Sequence, residues 1–317
     1  MGPFPFISHR LAPGKRRLQK SIDPARHQPV SCGRLKTILP PADPTALTQP
    51  SDAARLRGWL RLPLDCVAMA CGILYWGVFG LGVTLLAGPL FLLLPREAGR
   101  RLGRWLHHVL FRCFVGYLHL TGLVKTDLRP LDALRRATGP IIVAPNHTSL
   151  WDAVFIIARL PSAVCVMKKS ILCNPFLGGG ARLSGYIANS SITRMIRDAA
   201  GSLSGNSQLI LFPEATRTRP HERWINPIKG GCALIACRSG APVYPVFIRS
   251  DTRFLQKGWP IWKRPVFPIH LAFEVGAPLR PEKDESPMEF TLRLQAVFEQ
   301  ELSKPHPLRR QVHSPDR

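Results

Sequence analysis

One histidine and one aspartate stand five positions apart in "APNHTSLWDAV", Ala144 to Val154, directly after the apolar run Ile141-Ile142-Val143. An imidazole with a carboxylate on one ring nitrogen keeps a fixed tautomer, and its other nitrogen can take a proton from a hydroxyl. Two readings fit these residues: His147 is a base held by Asp152, or it is a helix-start histidine with an unrelated cap. A second group, "LILFPEATRTRP", puts Glu214, Thr216, Arg217 and Arg219 on a turn after another apolar run. Strand ends in open α/β sheets are where ligands bind, and the arginine fork matches phosphate or carboxylate. The alternative for Arg217 is a surface ion pair with Glu214. A third stretch, "APVYPVFI", carries Pro245 inside an apolar run, which implies an edge strand or a bulge beside a cleft.

These groups need a scaffold, and beyond residue 138 short apolar runs alternate with helical stretches in the manner of an α/β domain. Strands are expected at Pro140–Ala144, Val164–Met167, Gly185–Ala188, Gln208–Phe212, Val243–Ile248 and Ile269–Val275. Helices are expected at Ser149–Arg159, Ile192–Leu203, Gly231–Ser239 and Pro287–Leu302. The fold class is therefore α/β, a mixed sheet flanked by helices, with an N-terminal membrane-anchoring helical segment.

That segment is set by "CVAMACGILYWGVFGLGVTLLAGPLFLLL", part of a thirty-residue interval, Cys66 to Pro95, without a charged residue. Roughly 20 apolar residues suffice to span a bilayer as a helix. Gly88-Pro89 can break the run, leaving one span or a re-entrant hairpin. Next, "REAGRRLGRWLHHVLFRCFVGYL" alternates apolar and basic residues at helical spacing. It fits an amphipathic helix on an anionic membrane surface, or one docked on the domain. Arginines 55, 57 and 61 precede the apolar run and arginines 96, 100, 101, 104 and 112 follow it. The positive-inside rule then places the catalytic domain on the cytosolic side of the inner (cytoplasmic) membrane.

The formal charge of the 317-residue chain is +23. Residues 1–61 hold eleven lysines and arginines against three acids, and residues 304–317 four against one. Such a field favours anionic lipid, phosphorylated substrates, acidic carrier proteins or nucleic acid. Nucleic-acid binding is disfavoured, because the basic arm interleaves only Phe4, Phe6 and Trp59 with its cations. The eight cysteines form no Cys-x-x-Cys pair and read as free thiols in a reduced compartment. The expected organisation is a disordered basic arm at 1–60, a membrane segment and amphipathic helix at 61–120, the catalytic domain at 121–303 and a basic tail at 304–317.

Taken in order, the motifs resemble those of the glycerolipid acyltransferase superfamily, whose best-known members are 1-acylglycerol-3-phosphate acyltransferases. The resemblance covers roughly residues 135–280. Its first motif is matched by Asn146-His147-Thr148-Ser149-Leu150-Trp151-Asp152, the third by Phe212-Pro213-Glu214-Ala215-Thr216-Arg217, and the fourth by Val243-Tyr244-Pro245-Val246. The stretch "NPFLGGGARLSGYIANSS" is similar to a bacterial branch of the same superfamily. Two departures stand out. The second motif, Gly185-Tyr186-Ile187-Ala188-Asn189-Ser190-Ser191, lacks the arginine that grips an acceptor phosphate, where Arg194 or Arg197 can substitute. Ala215 replaces a glycine, which is compatible with a negative φ and a methyl turned away from the ligand.

The resemblance implies an O-acyltransferase that moves a fatty acyl group from a thioester, on coenzyme A or acyl carrier protein, to a hydroxyl of a membrane lipid. Lysophosphatidate is the expected acceptor. A different lipid hydroxyl, or a catalytically inactive membrane-binding relative, is the alternative. It makes His147 the base and Asp152 its orienter. Glu214, Thr216 and Arg217 would position the acceptor, with Lys168 and Arg194 as further phosphate contacts and Lys229-Gly230-Gly231 at the rim. No metal or cofactor is implied.

Overall fold

The computed structural model describes the backbone of residues 52–203, 205–260 and 263–308, and side chains from Arg61 onward. The expected arm lies outside this range up to residue 51, as does the end of the basic tail. Helix α1 spans Asp52–Leu93 and runs unbroken through Pro63 and Pro89. It begins nine residues before the expected end of the arm, because Ala53, Ala54, Leu56 and Leu60 extend the helical register with good helix formers. Pro89 removes one amide donor to the preceding turn, yet α1 continues past it to Leu93 and no re-entrant break forms.

Helix α2, Arg96–Leu120, follows the Pro95 corner. Its Phe114, Val115 and Leu118 are buried in the main core, so that part of its apolar stripe docks on the domain, while Trp105 and Leu120 remain exposed. Tyr75 and Tyr117 tie the helices together through hydrogen bonds to the carbonyls of Leu110 and Ala68, at 2.7 and 2.6 Å. The described residues form one compact unit, without a break at 120/121. The reason is that α2 contributes core side chains.

One seven-stranded sheet underlies the domain: β1 (Val124–Asp127), β2 (Ile141–Pro145), β3 (Ala163–Met167), β4 (Ile187–Ala188), β5 (Gln208–Ile210), β6 (Val243–Ser250) and β7 (Ile269–Val275). The strand order is β1-β7-β6-β2-β5-β3-β4, and every neighbouring pair is parallel except β6 and β7. Helices α3 (Asp132–Arg136), α4 (Asp152–Ile157), α5 (Lys169–Leu172), α6 (Gly178–Leu183), α7 (Ile192–Ser202), α8 (Gly231–Ser239) and α9 (Pro287–Ser303) complete the α/β fold. All five residues of β2 are buried, as a central parallel strand requires.

Pro245 does not mark an edge, since β6 lies between β2 and β7. It sits where the antiparallel ladder is interrupted, between the Val246–Val275 pair and the isolated Val243–Leu279 bridge. Two residues of β6 there face three of the partner, a bulge that removes the need for an amide donor at the proline. The parallel registers Val143↔Ile210 and Pro145↔Val246 bring the C-terminal ends of β5, β2 and β6 to one side of the sheet. The three sequence motifs emerge there together.

Candidate active site

Asn146 continues β2 and is buried. Its amide donates to the Ile248 carbonyl at 3.0 Å and accepts from the Ile248 amide at 2.7 Å. This two-point clasp to β6 fixes the backbone from which His147 projects. The next helix starts with Asp152, whose carboxylate turns back to the preceding loop. His147 Nδ1 lies 3.0 Å from Asp152 Oδ2, and the Ser149 amide donates to that same oxygen at 2.7 Å. Asp152 is fully buried while the His147 side chain keeps 17% exposure. With Nδ1–H donating to the carboxylate, Nε2 is left as the free base. The histidine and the aspartate are thus hydrogen-bonded partners.

Phe212 stacks on the imidazole, ring centroids 4.0 Å apart, and restrains the ring from the side. Glu214 does not reach toward a ligand, contrary to expectation. It is buried and accepts from the His147 amide at 2.7 Å, from Thr218 Oγ1 at 2.9 Å, and from the backbone and side-chain amides of Asn226 at 2.9 and 2.5 Å. Its role is to bind the loop after β5 to the loop after β2. Thr218 completes this link by donating its amide to the His147 carbonyl at 2.6 Å. Burial pushes the Glu214 carboxyl up to about 7, against the lowering effect of these donors.

A cavity of about 340 Å³ opens beside His147. Its apolar wall includes Leu150, Val166, Met167, Ile171, Met195 and Leu211, while Lys168, Thr216, Arg217 and Lys229 supply polar groups. Arg217 is not paired with Glu214. Its Nη1 donates to the carbonyls of Leu255 and Gln256 at 2.7 and 3.2 Å, which holds the guanidinium in place. Thr216 and Lys168 are where the sequence placed them. Arg194 is exposed on α7 and does not line the cavity. Ser191, at the position of the missing arginine, is the N-cap of α7, and Asn189 of the same motif lines the cavity.

Ala215 has φ +55°, so the condition that would make alanine harmless there is not met, and the residue also lines the cavity. The clasps by Asn146, Thr218 and Asn226, and the stacking of Phe212, were not legible from residue spacing. Asn226 lies twelve residues beyond its partner in a loop with no pattern of its own.

The acyltransferase family model matches residues 126–249, an interval that contains both halves of this site. The chain is 26% identical over 215 residues to a 1-acyl-sn-glycerol-3-phosphate acyltransferase of Saccharomyces cerevisiae, covering 65% of each protein. It is 29% identical over 138 residues to the enzyme of that name from Helicobacter pylori, covering 42% of this chain and 56% of the relative. The chain thus spans no more than 65% of the length of these curated relatives. The crystal structure of the 1-acyl-sn-glycerophosphate acyltransferase PlsC from Thermotoga maritima shares the fold, with a TM-score of 0.55 at 20% identity. The match covers 78% of this chain and 97% of that one. The matched segment carries the His147–Asp152 pair, the Glu214 clasp beside it and strands β2 and β5 that bring them together, so this part of the chain is similar to the acyltransferase family.

Proposed function

We propose that the protein transfers a fatty acyl group from a thioester, carried by coenzyme A or acyl carrier protein, to the free hydroxyl of lysophosphatidate. The observation that carries this reading is the His147–Asp152 pair at the wall of a cavity that is apolar on one side and cationic on the other. His147 Nε2 takes the hydroxyl proton as the oxygen attacks the thioester carbonyl. The tetrahedral intermediate collapses, the C–S bond breaks, and the proton passes from His147 to the departing thiolate. Asp152 keeps Nδ1–H as donor throughout and stabilises the imidazolium that forms in between.

Lys168, Arg217 and Lys229 supply the positive charge for a phosphate monoester, which supports lysophosphatidate even though the second motif lacks its arginine. The apolar wall suits acyl chains. Helix α1 anchors the domain in the inner membrane, with the site on the cytosolic side where both thioester carriers reside; its arginine-rich flanks support this orientation.

The test is an assay of the purified full chain in mixed micelles, with acyl-coenzyme A or acyl carrier protein as donor and a panel of lysolipids as acceptors. The expected result is phosphatidate formed in step with free thiol. Preferential acylation of a lipid without a phosphate monoester would overturn the acceptor assignment, and no thiol release with any acceptor would mark an inactive relative.

A further inference from the structure

Beyond the His147 cavity, a second cavity of about 450 Å³ opens at the same ends of β2 and β6, and no step above uses it. The two share a wall. His147 and Arg217 line the first cavity, while their chain neighbours Asn146, Thr148 and Thr218 line the second. The partition is therefore the hydrogen-bonded turn that holds the base. The wall of the second cavity also includes His221, Glu222, Arg223, Trp224, Arg249, Arg253 and Gln256.

Charge and hydrogen bonding there are unbalanced in one direction. Arg249 is neutralised by Glu274, and His221 lies 3.6 Å from Glu222. No carboxylate among the described residues reaches Arg223 or Arg253 within ion-pair distance, and the Arg223 guanidinium lies over the Trp224 ring at 5.1 Å. Gln256 Oε1 is buried without a hydrogen-bond partner among the described residues, a condition native structures seldom leave uncompensated. The cavity thus offers two free guanidinium groups to an anion.

We infer that this second cavity binds the phosphopantetheine end of the acyl donor, with Arg223 and Arg253 on its phosphate. The inference rests on the acyl-transfer reading above and names where its donor carrier sits. Coenzyme A and acyl carrier protein both present a phosphate on a pantetheine bearing two amide N–H groups, so the chemistry recognised is common to both. A carrier seated here enters from the β6 side of the His147 turn, while the lipid acceptor occupies the apolar cavity on the other side. The phosphate end of the donor and the lipid acceptor then do not compete for one pocket.

The experiment compares wild type with Arg223→Glu, Arg253→Glu and the double variant, using the full chain in micelles. Calorimetry reads the binding of free 4′-phosphopantetheine and of pantetheine, and kinetics read KM for the corresponding acyl thioesters. Both arginines are exposed, so the fold should be retained, and thermal unfolding checks this. Charge-assisted contacts of this kind predict a loss of about ten- to hundredfold in phosphopantetheine affinity, with pantetheine binding unchanged. The KM for lysophosphatidate should also be unchanged. Equal losses with acyl-coenzyme A and acyl carrier protein assign the shared phosphate. A loss confined to coenzyme A assigns its nucleotide phosphates and overturns the inference. Unchanged phosphopantetheine binding in the double variant overturns it as well, while leaving acyl transfer standing if wild type releases thiol. Absence of thiol release by wild type tells instead against the acyl-transfer reading, and the calorimetric arm still decides whether the cavity binds phosphate.

Discussion

His147 carries the chemistry in the proposed mechanism, and its position is set by Asn146, Asp152, Phe212, Glu214 and Thr218. His147→Ala should lower the rate of acyl transfer by about 10²–10⁴-fold while leaving membrane binding and the unfolding temperature near wild type; near-full activity would remove His147 from the role of base. Glu214 gives the complementary case. Both of its oxygens accept hydrogen bonds, so a glutamine turns an N–H₂ toward groups that are themselves donors. Glu214→Gln should cost about 1–3 kcal/mol of stability and reduce activity through the displaced His147 turn, as read by chemical denaturation alongside turnover. The same residue shapes the pH dependence. Burial raises its pKa from the usual 4.5 to about 7 in the folded protein, so the folded state holds the proton more tightly. The stabilisation from Glu214 is complete below pH 4.5 and is lost as the pH rises through 7. Relative to Glu214→Gln, wild type should lose stability across that window; a constant difference would mean that Glu214 is ionised throughout. Ala215 at φ +55° pays the left-handed penalty of an L-residue, about 1–2 kcal/mol. Ala215→Gly removes it and loses about 0.5–1 kcal/mol to unfolded-chain entropy, so a net gain of up to about 1.5 kcal/mol should appear as a higher unfolding midpoint.

At the scale of elements, the contact between the N-terminal helices and the domain depends on small residues. A Cβ on Gly179 of α6 would lie 2.7 Å from Thr84 Cα in α1, and one on Gly103 of α2 would lie 2.7 Å from the Ser184 amide nitrogen. Backbone atoms cannot yield as a side-chain tip can, so the run Gly178-Gly179-Gly180 allows the two helices to pack closely. Gly179→Val should force α1 and α6 apart and cost about 1–3 kcal/mol, the range for an overpacked core. Differential scanning calorimetry in detergent would show a lower midpoint; an unchanged one would mean that α1 rests only loosely on the domain. Away from this seam, α1 leaves Leu64, Val67, Ile73, Leu74, Leu85 and Leu86 exposed, a face that suits hydrocarbon.

For the whole molecule, apolar burial and positive charge make separable demands on a membrane. Residues Arg61–Leu93 form a helix long and apolar enough to cross one, and little of it is covered by protein. The chain also carries a formal charge of +23. Electrostatic attachment is screened within roughly 3 Å at about 1 M salt, whereas an inserted apolar helix does not respond to counterions. The full chain should therefore stay with anionic vesicles through a high-salt wash and leave them only in detergent. Release by salt alone, followed by sedimentation, would reduce the anchor to an electrostatic one.

Residue types and spacing determined the α/β class, most strand and helix positions, the apolar segment, and the nearness of His147 to Asp152. These features are local, since a buried strand or helix face must be apolar at its own period and a five-residue gap lets a loop histidine reach a helix-start carboxylate. Strand β1 and the short helices α3, α5 and α6 escaped, because four to six residues carry too little periodicity to separate from loops. Whether α2 faces lipid or protein depended on what its apolar stripe meets, and an amphipathic pattern is the same in either case. The role of Glu214 was misassigned for a related reason: a glutamate on a turn is ordinarily solvated, and only the parallel neighbours β5 and β6 on either side of β2 bring Thr218, Asn226 and the His147 amide to it. The sign of φ at Ala215 and the second cavity at Asn146, Thr148 and Thr218 likewise belong to the tertiary structure, because each arises where segments distant in the chain close on one another.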